Sequence, residues 1–520
     1  QRQHRVAVER CAGGGIDVNG LLMGIDLGAG GVKVSIIDAD GSTLGDGSAP
    51  IATHTPQFGW SEQDPADWWT AACSAIRTAL AATGIAADAI VAIGVSGGAH
   101  IGVLADAHGE PLRRAILWSD SRSADEAAEL RDKADARIVE LSLNRVNPTW
   151  LLPQLLWIRR HDPDAVTATR RLFLAKDWLR FRLTGDWHTD YSDAVGALLA
   201  DSSCRGWSDE LCEMVGWSPV TLPPIVEPTT VVGAVTSVAA AHCGLRVGTP
   251  VVCGSNDTTV ELFGAGAASP GQGAIKLATA GVIYQVTDGP LVRPPVSCYP
   301  HIVDGLYYTA TGINSCASAH RWLRDRFFVA DGFDGMDALA ASIDAGSDGL
   351  LFHPYLQGER APHWDAQLRA DFVGITMQHS RAHFSRALYE GIAYAIRDAM
   401  SVAEELGMRY DSIRLIGGGA RSATWRQIMA DVLGRQILLP ANGDASFGAA
   451  AVAGIGAGVF ASAQDAIDRC CRTLVIHEPS PNAHDRYTDF FGVYRDSQRH
   501  LVGINHRLHE LTVTRPNRSS

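Results

Sequence analysis

Strand-like and helical segments alternate along most of this 520-residue chain. Residues 89–97 (AIVAIGVSG) have the composition of a buried strand followed by a turn, and residues 65–84 have apolar residues at helical spacing and end on a glycine. Residues 412–434 repeat the pattern as strand, triple-glycine turn and helix. Such alternation predicts an α/β architecture. Because so long a chain does not form a single core, we expect at least two domains.

One glycine-rich turn defines the start of the predicted fold. Residues 24–38 (GIDLGAGGVKVSIID) place Gly28, Ala29, Gly30 and Gly31 between two apolar runs. No Walker A window fits, and the β-branched residues after the glycines predict a strand where a dinucleotide-binding fold needs a helix. Small residues in such a hairpin let backbone N–H groups approach an anion. An ordinary glycine hairpin is the competing interpretation.

A second turn of the same kind follows 250 residues later. Residues 277–282 (LATAGV) match residues 27–32 (LGAGGV), and both lie in a strand–turn–strand pattern. Two small-residue hairpins can resemble each other by chance. A duplicated domain, however, would offer two phosphate turns and bind a polyphosphate in the cleft between its halves. The small, Pro- and Gly-containing segment 265–273 is where we expect the boundary.

Composition excludes several classes of partner. The net charge of −13 argues against a nucleic-acid surface or an anionic membrane surface, and no apolar run is long enough to span a bilayer. The ten cysteines are scattered without a CxxC pair, which indicates a reducing compartment, so we expect a cytoplasmic protein. Residues 1–20 show no clear period and are expected to be a disordered leader outside the fold.

Three further features suit nucleotide-dependent phosphoryl transfer. Asp26, beside the first turn, can hold Mg²⁺ directly or through water, or it can cap the turn. Asp257 follows a buried strand and precedes a helical run, where it can accept a proton from a substrate hydroxyl or cap the helix. The glycines 417–419 let a ligand lie against the backbone or allow close packing of helix and strand.

A polar and aromatic set suits a sugar. Sugars are held by hydrogen-bonding side chains and by aromatic walls against their C–H faces. Candidates are the stretch 60–64 (WSEQD), His100, the stretch 118–120 (WSD) and Arg122. His100 follows a strand and a double glycine, so it can line a cleft, although a single histidine is more often structural.

Together these segments resemble the FGGY carbohydrate kinases, and most closely their xylulokinase branch, over roughly residues 22–495. Seven motifs follow in the family's order, which is far more specific than one glycine turn. They read GIDLGAGGVKV, WSEQDPADWW, RRAILWSDSR, LAKDWLRFRLTGDWHTDYSDAVG, FHPYLQGERAPHWD, GITMQHSRAHFSRALYEG and LIGGGARSATWRQIMAD.

The resemblance implies two actin-like (ribonuclease H-like) ATPase domains around a central cleft. A leader over residues 1–20 would precede an N-terminal sugar-binding domain over 21–268. A C-terminal nucleotide-binding domain over 269–500 and a tail over 501–520 would follow. The resemblance also implies a small-molecule sugar as substrate, and homodimers are common in this family.

ATP and Mg²⁺ are the implied cofactors, with Asp257 as the catalytic base and Asp26 as the residue that supports the metal. The implied sugar contacts are Ala99, His100, Trp118, Asp120 and Asp257. The implied ATP contacts are Gly28, Ala29, Gly30, Gly31, Lys33, Thr279, Ala280, Gly281, Gly417, Gly418 and Arg421.

The chain departs from the family pattern at several places. Xylulokinases have Gln-Met-His-Gly where this chain has 98–101 (GAHI), so Ala99 replaces the methionine beside the sugar. Thr258 replaces the asparagine after the catalytic aspartate, and both phosphate turns carry alanine substitutions at Ala29, Ala278 and Ala280. We still expect a kinase, converting D-xylulose to D-xylulose 5-phosphate. Ribulose, gluconate, a pentitol or a quorum-signal molecule are alternative substrates, and a non-catalytic sugar sensor is the alternative function.

Overall fold

The computed structural model describes residues 20–513, so the predicted leader up to residue 19 and residues 514–520 lie outside it. The strands of the first half are β1 (Leu21–Gly28), β2 (Gly31–Ile37), β3 (Thr43–Pro50), β4 (Glu62–Gln63), β5 (Ile90–Gly97), β6 (Gly102–Ala105), β7 (Ala115–Ile116), β8 (Arg171–Leu174), β9 (Thr189–Asp190), β10 (Ala200–Asp201), β11 (Gly206–Trp207), β12 (Ile225–Val226), β13 (Val231–Ala234), β14 (Pro250–Val252) and β15 (Ser255–Asn256). Those of the second half are β16 (Gln272–Leu277), β17 (Gly281–Thr287), β18 (Ser297–Pro300), β19 (Tyr307–Ile313), β20 (Leu351–His353), β21 (Asp371–Val373), β22 (Ser412–Ile416), β23 (Ile437–Pro440) and β24 (Thr473–His477).

Helices cover the strands in both halves. Those of the first half are α1 (Pro65–Thr83), α2 (Ala124–Ser142), α3 (Leu151–His161), α4 (Pro163–Ala168), α5 (Ala175–Thr184), α6 (Tyr191–Gly196), α7 (Asp209–Val215), α8 (Ser237–Cys243) and α9 (Asp257–Gly264). Those of the second half are α10 (Ala317–Phe327), α11 (Gly332–Ala341), α12 (Arg381–Glu405), α13 (Ala423–Leu433), α14 (Ala445–Gly456), α15 (Ala463–Cys470) and α16 (Pro481–Val513).

Two seven-stranded mixed sheets repeat one topology. The first runs β13-β14-β5-β1-β2-β3 with β15 added on β5, and the second runs β18-β19-β17-β16-β22-β23-β24. In each sheet an antiparallel hairpin (β1–β2 or β16–β17) continues into two parallel strands on one side. The two small-residue turns that resemble each other in sequence therefore occupy equivalent places in a duplicated fold. The predicted α/β class with two domains is confirmed.

The elements predicted from local patterns appear with small shifts. α1 begins after Asp64, whose side chain accepts from Ala66 N, and ends at Gly84 in the left-handed conformation. α12 begins earlier than the predicted residue 384, because Ser380 and His383 form a capping box there. The predicted boundary at residue 268 lies between α9 and β16. The segment predicted as a tail from residue 501 continues α16 to Val513. Within residues 20–513, no helix is both long and apolar enough to cross a bilayer.

The two halves meet through helix α14. Although it follows the second sheet in sequence, α14 packs across β1 and β5 of the first sheet and against α9. A Cβ atom on Gly24 would collide with the Ser446 carbonyl oxygen, and one on Gly94 would collide with that of Ala449. Glycine is needed at these positions because the backbones are in direct contact. The buried side chains at this junction include Leu22, Val252 and Phe447.

A pair of glycine-to-alanine variants tests this contact. A Cβ on Gly448 of α14 would collide with the Val260 carbonyl oxygen of α9, whereas one on the exposed Gly492 of α16 would meet nothing within 4 Å. We expect Gly448→Ala to lower the free energy of unfolding by about 1–3 kcal/mol through overpacking. Gly492→Ala should leave it unchanged or raise it by up to about 1 kcal/mol, because alanine is the better helix former. Thermal and denaturant unfolding would measure both, and equal effects would contradict close packing at Gly448.

Candidate active site

The carboxyl ends of three neighbouring strands bring Asp26 and Asp257 together. β5 lies between β1 and β15: Asp26 is opposite Ser96, and Asn256 is opposite Gly97. Asp257 follows Asn256 directly as the first residue of α9. The two predicted acids therefore flank the end of β5, on one edge of the first sheet. In open α/β sheets this edge is where ligands bind.

Asp26 lies in a strongly anionic place. Its Oδ1 accepts a hydrogen bond of 2.8 Å from the Ser96 hydroxyl. Burial, and then the charges of Asp257 and Asp444, raise the pKa of Asp26 from 3.8 to about 7. The negative charges of Asp257 and Asp444 thus act on Asp26, and a cation near Asp26 would relieve this repulsion.

Asp257 is not the capping residue of its helix. The N-cap is Asn256, whose Oδ1 accepts from Thr259 N at 3.0 Å. The Asp257 carboxylate accepts from Thr258 N at 2.7 Å and from the Thr258 hydroxyl at 3.2 Å. Because Asn256 caps α9, the half-buried Asp257 carboxylate at the edge of the first sheet is not needed as the cap, and it can accept a proton.

Each of the two turns predicted to bind phosphate is held by groups from outside its hairpin. Gln63 Nε2 donates to Ala29 O at 2.7 Å, and the Trp68 indole in turn donates to Gln63 Oε1 at 2.8 Å. In the second turn, Ala317 N donates to Ala278 O at 2.8 Å, so the start of α10 fixes the loop. Gln63 was a candidate sugar contact as part of the stretch WSEQD, and its contact with the first turn was not predicted.

The third glycine turn, at residues 417–419, shows the close packing of helix and strand that was one of the two roles considered for it. Gly417 has a φ of 85°, and a Cβ there would lie 2.8 Å from Leu277 O, at the end of β16. Gly417 thus allows close packing against the strand that leads into the second phosphate turn. A Cβ on Gly418 would meet nothing within 4 Å, and Arg421 nearby is exposed. This side of the turn is open to a ligand.

Two lysine–carboxylate pairs join the halves at the cleft. Lys33 of β2 contacts Asp444, the N-cap of α14, with 2.9 Å between Nζ and Oδ2. Lys276 of β16 contacts Glu261 of α9, with 2.7 Å between Nζ and Oε2. Asp444, Glu261 and Lys276 were not predicted. The one local signal was that Glu261 follows Asp257 by four residues in a helix, so the two share a face.

His100 belongs to an aromatic cluster drawn from three parts of the chain. Its ring stacks on Trp150 with centroids 4.1 Å apart, and its Nδ1 donates to Gly196 O at 2.7 Å. Its Nε2 then accepts from the Tyr299 hydroxyl at 3.3 Å. Burial lowers the pKa of His100 to about 4, so the ring is neutral near pH 7. Trp150 and Tyr299 were not predicted, because neither lies near His100 in sequence.

Asp120 and Trp118 lie on the same side of the cleft with different surroundings. The buried Asp120 carboxylate accepts from Arg122 Nε at 2.9 Å, from Arg122 Nη2 at 2.7 Å and from Ser61 N at 2.5 Å. The guanidinium carbon of Arg122 lies 3.7 Å from the centre of the Trp60 ring. The Asp120 carboxylate is thus engaged by protein groups and stabilises the local structure around Arg122 and Ser61. Trp118 is 48% exposed and approaches Gly98, so its ring is free to contact a ligand.

Comparison with known proteins shows the family of this chain. Models of the FGGY family of carbohydrate kinases match residues 21–264 (N-terminal domain) and 276–457 (C-terminal domain). A xylulose kinase of Bacillus subtilis is 31% identical over 487 residues, 93% of this chain and 98% of the relative. One of Escherichia coli is 34% identical over 441 residues, 84% and 90% of the two chains. The crystal structure of xylulose kinase from Rhodospirillum rubrum has a TM-score of 0.84 at 30% identity and covers 94% of this chain and 100% of its own.

This chain belongs to the FGGY family of carbohydrate kinases. The resemblance seen in the motifs is thereby confirmed, and so are the two-domain fold and the activity class of a phosphotransferase. In this FGGY kinase, no group of three or more His, Cys, Asp or Glu side chains among residues 20–513 is arranged to hold a metal by itself. A metal at Asp26 would therefore need ligands from a bound phosphate or from water, which is how Mg²⁺ is commonly held beside nucleotides.

A buried ionic cluster supports the turn that carries Asp257. Lys176 Nζ lies 2.5 Å from Asp177, 2.9 Å from Asp190 and 3.1 Å from Asp193, all of them buried. The Ser255 hydroxyl donates to Asp190 Oδ2 at 2.7 Å. The cluster thus fixes the strand two residues before Asp257. It comes from the family motif at 174–196, to which no chemical role could be assigned from the sequence.

The raised pKa of Asp26 predicts how stability varies with pH in the nucleotide-free enzyme. Because the folded-state pKa (about 7) lies above the ordinary value of 3.8, folded Asp26 binds the proton more tightly than the unfolded chain does. Its contribution to stability is therefore lost as pH rises from about 4 through 7. We expect Asp26→Asn to match the wild type near pH 4 and to exceed it at pH 8, by about 2 kcal/mol or more.

Thermal unfolding across that pH range measures this difference. Asp46→Asn, which changes an exposed aspartate of the same sheet, is the control and should follow the wild type at every pH. A gain for Asp26→Asn that is independent of pH would show that Asp26 is already ionised in the folded state at pH 4.

Proposed function

We propose that this kinase transfers the γ-phosphoryl group of Mg²⁺–ATP to the terminal hydroxyl of a ketopentose, with D-xylulose as the leading substrate. The convergence of Asp257, Asp26 and two small-residue turns on one cleft between the halves of a duplicated fold carries this proposal. The relatives named xylulose kinase support the choice of sugar.

Asp257 would act as the general base. A base has to reach the proton of the attacking hydroxyl, and Asp257 is half-buried at the first position of α9, at the edge of the cleft. The attacking oxygen forms its bond to the γ-phosphorus as the bond to the β–γ bridging oxygen breaks, and the hydroxyl proton passes to Asp257.

Asp26 fits a role beside a divalent metal. Its carboxylate is buried with Asp257 and Asp444 nearby, and burial together with this crowding raises its pKa to about 7, so a cation would relieve the repulsion. Asp26 would hold Mg²⁺, and the metal would supply positive charge to the phosphates of the nucleotide.

The remaining implied contacts orient the two substrates. The turn residues Gly28 to Gly31 and Thr279 to Gly281 would present backbone N–H groups to the phosphates, and Lys33 would add a charge. Gly417, Gly418 and Arg421 would line the adenosine side. Closure of the two halves would exclude water, which protects the phosphoryl group from hydrolysis.

The first test is ADP release from Mg²⁺–ATP with D-xylulose, L-xylulose, D-ribulose, L-ribulose, gluconate, glycerol, xylitol and D-arabinitol. We expect D-xylulose to stimulate release most. Asp257→Asn should lower that rate by roughly 10²-fold or more, since the base is lost while its shape is kept. Asp67→Asn is a matched control, because Asp67 lies in the first turn of α1 and is exposed.

Three results would contradict this proposal. Near-normal turnover in Asp257→Asn would remove the base from the mechanism. Release of ADP at one rate with or without every sugar would favour a simple ATPase, and no release at all would favour the sensor that was considered as the alternative.

Ala99 is the position where we expect substrate choice to be adjustable. It stands where related xylulokinases have methionine, and it precedes His100, whose ring is fixed between Trp150 and Tyr299. Ala99→Met adds apolar volume without charge, so it should change the ratio of kcat/KM between pairs of sugars in the panel by about tenfold. The midpoint of thermal unfolding should stay the same, and an unchanged ratio would place Ala99 outside the pocket.

We also infer a cytoplasmic location. All nine cysteines among the described residues are unpaired, and most are buried, as in proteins of reducing compartments. A homodimer remains a proposal from the family resemblance, which size-exclusion chromatography with light scattering would test.

A further inference from the structure

Lys276 occupies a special place in the second half of the fold. It is the penultimate residue of β16, directly before the second phosphate turn. Its position corresponds to that of Asp26 in the duplicated hairpin, since each residue immediately precedes the leucine of the repeated motif. Where the first half places an acid beside its turn, the second half places a cation.

Glu261 directs the Lys276 ammonium toward the catalytic face of α9. The two are joined by a contact of 2.7 Å, and Glu261 follows Asp257 by four residues in the helix. Residues at this spacing lie one above the other on the same face. The ammonium is therefore held over the face that carries Asp257, on the side from which the second turn approaches.

The Lys276 side chain is expected to remain protonated and positively charged. Burial disfavours the charged form, but the neighbouring charges, above all Glu261, keep the pKa of Lys276 above its ordinary value. Its side chain is 28% exposed. Lys33, the other lysine at the cleft, is engaged by Asp444 and is 58% exposed.

We propose that the Lys276 ammonium, oriented by Glu261, binds the phosphoryl group during its transfer from nucleotide to sugar. This inference rests on the proposed function and adds a residue to it. Lys276 keeps its protons throughout and supplies positive charge to the equatorial oxygens of the transferring group. The hydroxyl proton still passes to Asp257, and ADP leaves with the electron pair of the broken bond.

The competing interpretation is that the Lys276–Glu261 pair has only a structural role. The Lys276–Glu261 pair joins β16 of the second half to α9 of the first, so it can simply hold the halves together. The two roles differ in what the charge of each partner does. Phosphoryl binding needs the charge of Lys276, whereas a purely structural contact between the halves depends equally on Lys276 and Glu261.

Four variants separate these roles. Lys276→Met removes the ammonium with little change of length, Lys276→Arg keeps the charge, Glu261→Gln keeps Lys276 charged, and the double variant Lys276→Met with Glu261→Leu removes both charges. Lys133→Met is the matched control, because Lys133 forms a similar pair with Glu129 on the surface of α2, at 2.6 Å.

The decisive readout compares two ligands in the holoenzyme with Mg²⁺. ADP mimics the nucleotide alone, and ADP with aluminium fluoride mimics the phosphoryl group in transfer. We expect Lys276→Met to weaken binding of the fluoride complex by about 10²-fold and to lower kcat by a similar factor, with ADP affinity changed less than about threefold. Lys276→Arg should recover part of the loss, and Glu261→Gln should cost about tenfold or less.

The interpretation that the pair only holds the halves together makes opposite predictions. Glu261→Gln and Lys276→Met would then lower kcat equally, the uncharged double variant would recover activity, and the affinities for ADP and for the fluoride complex would change together. Any of these results would overturn the proposal.

A failure of the proposed function would be visible separately. If no sugar of the panel stimulates the wild type, the substrate is wrong, but the comparison of ADP with its fluoride complex still tests Lys276. If the wild type does not bind ADP with Mg²⁺, the nucleotide itself is wrong, and the role of Lys276 is refuted with it.

Discussion

The structure depends on a backbone-to-backbone contact between its two halves. Gly24 and Gly94 let α14 lie directly on the first sheet, and Gly448 lets it touch α9. A side chain at any of these points would move the halves apart. Because Asp444 begins α14 and Asp257 begins α9, the same contact sets how these acids lie relative to Asp26. The geometry of the proposed active site is therefore a consequence of helix packing.

The cleft between the halves is rich in acids, so a bound divalent cation would lower the repulsion among them. Asp26 and Glu261 both have pKa values raised to about 7, first by burial. Lys33 and Lys276 offset part of the negative charge, each through one carboxylate of the other half. A divalent cation that arrives with a polyphosphate would balance the remainder, since phosphate oxygens complete a metal shell that the protein leaves open.

Local patterns in the sequence predicted the elements that local interactions form. The hairpin at Gly28–Gly31, the helix ending at Gly84 and the strand before Gly417 appear where turn and capping chemistry placed them. Two hairpins alike in sequence also indicated the duplication. The family resemblance supplied the roles proposed for Asp26 and Asp257, which the surrounding sequence alone left open between chemistry and capping.

Contacts across long stretches of chain were not predictable in this way. Lys33 meets Asp444, and His100 meets Tyr299, only because α14 and β18 fold back onto the first half. Asp120 was predicted to bind sugar on the strength of its motif, but a neighbouring arginine and Ser61 N already engage its carboxylate. A single sequence does not show whether a polar residue faces a ligand or another side chain.

The most direct test of the central claim is a crystal structure with a non-hydrolysable ATP analogue and Mn²⁺ in place of Mg²⁺. Anomalous scattering would locate the metal independently of the protein atoms. Our account predicts one metal peak beside Asp26, with the terminal phosphate between the Gly28–Gly31 turn and the 278–281 turn and within reach of Asp257. A nucleotide bound with its phosphates outside this cleft, or a metal remote from Asp26, would contradict it.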